Sequence, residues 1–261
     1  MNDPRLLRAY MEQLVELGAP ELFTERLDQA TARAKVAAWG RPGPGVSRAR
    51  TATGRAEEEP VEKTAPRVVP VLAPVVAESY RALRAEALQC TRCRLSEGRK
   101  QVVFADGNPN ARLMVVGEAP GAREDDTGLP FVGPAGQFLD LMLASVGLSR
   151  KDTAYICNVL KCRPPGNRNP LPDEIETCTP FLKRQIELVE PEVILAVGSF
   201  AAQYLTGTAM ALGKLRGQIY SYQGTPVVVT YHPAALLRNA GWTRPTWDDL
   251  QLLRQVMDSN A

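Results

Sequence analysis

Residues 112–136 read RLMVVGEAPGAREDDTGLPFVGPAG: a Val-rich apolar run, a tight Gly/Pro turn, and the entry to a helical segment. Three further runs of the same kind follow, AYICNV at 154–159, VILAV at 193–197 and PVVVTY at 226–231. Helical patterns separate them at Gly136–Val146, Pro172–Val189 and Phe200–Leu205. Short apolar strands alternating with helices imply a parallel sheet covered on both faces. The expected class is therefore α/β, a three-layer sandwich around a central four-stranded, mainly parallel sheet. Ligands of such sheets bind beyond the carboxyl ends of the strands. Each strand here ends in polar or turn-forming text: GEAPG at 117–121, Asn158 before KCRPPGNRNP, Gly198-Ser199, and His232-Pro233. Four such ends converging on one crevice mark it as the expected active site.

Outward from this core, residues 3–39 carry helical spacing (Leu7, Tyr10, Met11, Leu14, Leu17), with Asp3 as an N-cap and Pro4 at the first helical position. Residues 40–77 are Pro/Gly-rich and charged, with little to bury, and read as a disordered linker. Three regions result: a helical extension over 1–39, either a weakly structured appendage or a module that docks an unknown protein, the linker over 40–77, and a core domain over 78–261. The 261 residues carry a net charge of +2, so nucleic-acid binding would need a local basic patch rather than a global field. No apolar run approaches the roughly 18 residues of a membrane span. MNDPRLLRAYMEQ has no apolar signal region, so a cytoplasmic monomer away from membranes is expected.

One histidine, His232, excludes a multi-histidine metal site and leaves cysteine as the soft ligand. Cys90 and Cys93 form C-x2-C, and Cys162 and Cys178 lie farther along the chain. Two such pairs fit zinc, a [4Fe–4S] cluster, or no metal at all, and the spacing does not separate these. In either metal form the site would staple the start of the core domain to its middle. Cys157, inside an apolar strand, reads as a buried inert thiol.

At the crevice, Glu118 and Glu124 are carboxylates suited to orienting water or stabilising a developing cation, although each alone is also compatible with capping or solvation. Phe131 offers a π-face for a base, or a core side chain. The Asn158 amide matches the O4 and N3–H edge of uracil, which cytosine reverses. Lys161, Arg163 and Arg168 sit on a loop stiffened by Pro164 and are suited to phosphate. After His232 come Leu236 and Leu237, apolar wedges for a base stack, and Arg238 beside them. GTAMALGKL at 207–215 has the wrong glycine spacing for a phosphate loop and no Ser/Thr after Lys214.

C-x2-C, GEAPG-x2-ED, GLPFVGPAG, N-x3-CRPPGNR-x-P and TYHPAALLR occur here in one order and spacing, and together they resemble the iron–sulfur, or family 4, uracil-DNA glycosylases. The resemblance runs from about Glu78 to the C-terminus. It implies the uracil-DNA glycosylase fold and the release of uracil from single- or double-stranded DNA in base excision repair. It also implies a [4Fe–4S] cluster on Cys90, Cys93, Cys162 and Cys178. Carried over by motif, Phe131 stacks the base, Asn158 reads it, His232 is the motif histidine and Leu236 the intercalating leucine. In the best-known branch an Asp orients the water where this chain has Ala119, a small residue beside the base. The catalytic carboxylate would then be Glu118, the preferred choice, or Glu124. Two readings compete: a non-catalytic iron–sulfur or zinc module that binds nucleic acid, and a glycosylase for another deaminated base such as hypoxanthine.

Overall fold

A computed structural model describes residues 74–259. The expected extension and most of the expected linker lie outside them. The first helix, α1 (Pro74–Leu88), takes in residues 74–77, which the sequence reading places in the linker.

The sheet has six strands: β1 (Asp106–Gly107), β2 (Leu113–Gly117), β3 (Ala154–Asn158), β4 (Val193–Val197), β5 (Ile219–Tyr222) and β6 (Thr225–Thr230), in the order β1-β3-β2-β4-β6-β5. The four inner strands β3, β2, β4 and β6 are parallel and are the four expected from the sequence. The two short edges run antiparallel and were not expected. β1 is two residues long, with no apolar pattern to announce it. β5, IYSY, alternates exposed and half-buried and turns into β6 through Gln223 and Gly224, both at positive φ as a two-residue hairpin loop requires.

Every residue of β2, β3 and β4 is buried, because helices cover both faces. The period of two sorts the side chains. Leu113, Val115, Ile156, Leu195 and Val228 face α4 (Pro134–Ser145) and α9 (Thr243–Ser259), meeting Phe138, Leu139, Met142, Leu250 and Leu253. Met114, Val116, Cys157, Ala196 and Val229 face α5 (Pro172–Val189) and α6 (Ser199–Thr206), meeting Leu182, Ile186, Ala201 and Leu205. A third cluster packs α1 and the short α2 (Leu95–Gly98) on α5 through Leu83, Leu95, Phe104 and Phe181. The three-layer α/β arrangement is thus the one the alternation implied. Among the described residues no helix is long and apolar enough to cross a membrane.

Candidate active site

Parallel register brings Gly117 opposite Asn158 and Val197 opposite Thr230, so the four strand ends open on one side. Between them lies a cavity of about 840 Å³, lined by Glu118, Ala119, Glu124, Phe131, Asn158 and His232 among others. Gly117 must be glycine: a Cβ there would sit 2.4 Å from Asn158 Oδ1 and 2.5 Å from the Phe131 ring. The amide and the ring therefore meet at one point on the cavity floor. Asn158 is buried, and its Oδ1 has no hydrogen-bond partner among the described residues.

Phe131 is held against its own preference. Its φ is 53°, a left-handed conformation uncommon for a bulky residue. Two side chains restrain the segment from opposite sides. Glu124 Oε1 accepts from the N–H groups of Val132 and Gly133, both at 2.9 Å. Arg150 donates to the carbonyls of Pro130 (2.9 Å) and Phe131 (2.7 Å) and is itself paired with Asp106 and Asp140. Helix α4 begins directly against the loop: a Cβ on Gly136 would overlap the Phe131 carbonyl. The GLPFVGPAG text is thus a machine for presenting one ring.

The His232 ring faces Phe131 at 5.7 Å between centroids. Its Nδ1 accepts from the Ala234 N–H (3.1 Å), which leaves the proton on Nε2 as a donor. Burial, with Arg238 nearby and against the opposing pull of Glu124, lowers its pKa to about 4, so the ring is neutral at pH 7. Glu118 differs from Glu124. Its carboxyl has no hydrogen bond or ion pair among the described residues, and burial raises its pKa.

Residues 104–251 match the sequence pattern described as the uracil DNA glycosylase superfamily. The chain is 46% identical over 153 residues to the type-4 uracil-DNA glycosylase of Thermotoga maritima, covering 58% of this chain and 79% of that protein. It is 43% identical over 168 residues to that of Archaeoglobus fulgidus (61% and 84% covered). With that of Sulfurisphaera tokodaii it shares 37% over 187 residues (69% and 85%). This chain belongs to the uracil DNA glycosylase superfamily.

Within this glycosylase, the loops after β3 and β6 divide the expected DNA-contacting residues. Pro164, Arg168 and Arg238 line the cavity. Arg168 is also forked onto the buried Glu174 (2.9 and 2.5 Å), which fixes the loop and neutralises part of its charge. Arg163 lies outside the cavity lining and bonds Asn167 Oδ1 at 2.7 Å. Two expectations are overturned. Lys161 is 1% exposed, and its ammonium donates to the Asn158 carbonyl (2.6 Å) and to Gln185 Oε1 (2.5 Å), so no phosphate reaches it. Leu236 is fully buried in the core beside α4, whereas Leu237 is 42% exposed; of the two expected wedges, only Leu237 faces solvent. Both errors arise because the burial of neighbouring residues in a short helix or turn depends on which layer lies beneath.

The glycosylase's four spaced cysteines line one small pocket between α1, α2, α5 and the end of β3, with Cys157 apart from them in the strand. Arg92 Nε points at Cys90 Sγ (3.4 Å), Arg99 Nη1 at Cys162 Sγ (3.2 Å) and the Lys161 N–H at Cys178 Sγ (3.3 Å). Among the described residues no three Cys, His, Asp or Glu side chains gather tightly enough for a single metal ion. Arg150 and Trp242, the latter also lining the cavity, escaped the sequence reading. Arg150 lies 19 residues from Phe131 with no motif to join them, and an isolated Trp in polar text carries no periodic signal.

Proposed function

We propose that the strand-end cavity receives a uracil flipped out of DNA and that its residues cut the glycosidic bond there, leaving an abasic site. A superfamily member that covers most of several type-4 uracil-DNA glycosylases is a uracil-excising DNA repair glycosylase. One observation carries the residue-level reading: the buried, unpartnered Asn158 Oδ1 against the Phe131 ring. A buried acceptor left unpaired costs about 1–3 kcal/mol. The N3–H of uracil would satisfy it, with the Asn158 amide N–H reaching O4; cytosine presents no N3–H there. Phe131 would hold the base face, and Ala119 would leave room beside it.

As the N1–C1′ bond breaks, the electron pair leaves with uracil, and charge develops on its O2. The neutral His232 would donate from Nε2 to that oxygen, a preorganised donor of the kind that contributes several kcal/mol in a water-poor site. Glu118, unpaired and with its pKa raised, would orient a water onto C1′ and accept its proton. Glu124, committed to the Phe131 loop, would act mainly by holding that loop. The base must first leave the stack. Leu237 would wedge the gap, while Arg163, Arg168, Pro164 and Arg238 would meet the backbone.

Cys90, Cys93, Cys162 and Cys178 would hold a [4Fe–4S] cluster. Three donors aimed at sulfur suit thiolates carrying shared negative charge. The four sulfurs line one pocket without closing on a single-ion point among the described residues, which favours a group of several metal atoms over one zinc ion. The cluster would tie α1 and α2 to α5; glycosidic hydrolysis involves no change of oxidation state. A cytoplasmic monomer acting on single- or double-stranded uracil-containing DNA completes the proposal.

The test pairs a visible spectrum of anaerobically purified protein with uracil release from a labelled oligonucleotide, followed by alkali cleavage. Brown protein with cleavage only at uracil is expected. Colourless, zinc-loaded protein without release would overturn both parts, and brown protein without release would overturn the substrate.

A further inference from the structure

Trp242 stands at the mouth of the cavity whose floor is Phe131. The first is 37% exposed and the second 6%. Its indole lies flat on Tyr231, with ring centroids 4.5 Å apart and planes 6° from parallel. The Arg216 guanidinium sits 4.3 Å from the centre of the same Tyr231 ring. A ring has two faces and neither takes both partners at such distances, so Arg216, Tyr231 and Trp242 form a three-layer stack with the partly exposed indole as its outer layer.

That stack is rigidly backed. Arg216 donates to the buried Asp249 (2.7 Å) and to the Pro245 carbonyl, and Asp249 also accepts from Thr230 at the end of β6 (2.7 Å). Trp242 closes a short 3-10 turn whose start is capped by Asn239, and its carbonyl accepts from Thr246 (2.8 Å). Tyr231 is the residue directly before His232, so the platform and the proposed catalytic histidine share one piece of chain. Arg238 also lines the cavity. A preorganised aromatic face on a cavity that is also lined by an arginine with no ion-pair partner among the described residues has the composition of a single-strand stacking site.

We propose that the exposed indole of Trp242 stacks the nucleobase adjoining the flipped uracil on the same strand; this rests on the excision reading above. Flipping removes one stacking partner from each neighbour of the uracil. An indole face at the cavity mouth would replace that partner on one side. The site tolerates any base, because every base presents a π-face, and it favours substrates whose strand is already unpaired.

The test is a cycle between protein and substrate. Single-stranded oligonucleotides carry one uracil with both neighbours present, or with the 5′ or the 3′ neighbour replaced by an abasic tetrahydrofuran. With unaltered protein, loss of one particular neighbour should raise KM about tenfold. Trp242→Ala should raise KM for the intact substrate by a similar factor and abolish that sensitivity, the loss falling on KM rather than kcat. Trp242→Phe should restore most of it, and inhibition by free uracil should not change. Unaltered protein indifferent to both neighbours, or Trp242→Ala with the original sensitivity, overturns the platform. Equilibrium binding of the same oligonucleotides, by fluorescence anisotropy, reads the stacking independently of turnover. If no uracil is released but the neighbour effect appears in binding, the excision reading fails and the platform stands.

Discussion

The strand-end cavity and the cysteine pocket are fed by the same five residues, 158–162, yet they are built on opposite rules. Asn158 points into the cavity with a buried oxygen unpartnered, next to an unpaired Glu118. Three residues on, Lys161 turns beneath the sheet, and Cys162 enters a pocket where donors are aimed at three of four sulfurs. One region keeps its polar atoms open for something that comes and goes. The other is closed on itself and joins α1, α2 and α5. On the proposed reading the first region serves chemistry and the second is a staple.

The largest effect is expected at the staple. With the proposed cluster in place, Cys162→Ser should bleach its visible absorbance and lower Tm by roughly 10 °C or more, since losing a structural metal ranks among the costliest single changes. Thermal melts of the variant and of oxidatively bleached protein check this; an unchanged Tm would remove the pocket's structural role.

At the cavity, His232→Ala should reduce excision roughly 10²–10³-fold, the loss typical of one preorganised donor, with Tm and DNA binding near those of the parent. The same variant carries a pH signature. Folded His232 titrates at about 4, chiefly through burial, whereas an unfolded histidine titrates near 6.5. Between those values the unfolded chain binds the extra proton, so stability contributed by His232 is present above about 6.5 and is lost as pH falls towards 4. Urea midpoints across that window should fall more steeply for the parent than for His232→Ala; parallel curves would contradict a buried neutral ring.

A smaller effect is expected at Arg150, which touches no substrate but holds the Pro130 and Phe131 carbonyls. Arg150→Gln should weaken inhibition by free uracil roughly tenfold, two charge-assisted hydrogen bonds being lost. Arg150→Lys, unable to fork onto both carbonyls, should recover part of it. Undiminished uracil affinity in Arg150→Gln would show that the Phe131 loop keeps its left-handed turn unaided.

Much of the fold was legible because its signals are local. The run Val193–Val197 and the helix Pro172–Val189 were bounded correctly from the sequence, and the other three inner strands to within one residue at each end. Continuous apolar runs of five residues between turn formers have few other uses in an α/β chain. β1 escaped because a two-residue pairing exists only once Gly107, at φ 90°, lies against the Ala154 carbonyl. Of the proposed site, the members at strand ends, Glu118, Asn158 and His232, were found because topology places every such end at the same crevice.

Sequence alone determined the α/β class, the four inner strands and the motifs of the superfamily, since all of these follow from short-range pattern. Tertiary structure decided which neighbours face which layer: Leu237 out and Leu236 in, Lys161 beneath the sheet rather than on DNA, Glu124 on the Phe131 loop while Glu118 stays unpaired. It also joined Arg150 to Phe131 and stacked Trp242 on Tyr231. The physical reason is the same in each case. Burial and pairing are properties of what packs against a residue, and that partner is brought up by the folded chain from a distance no local pattern records.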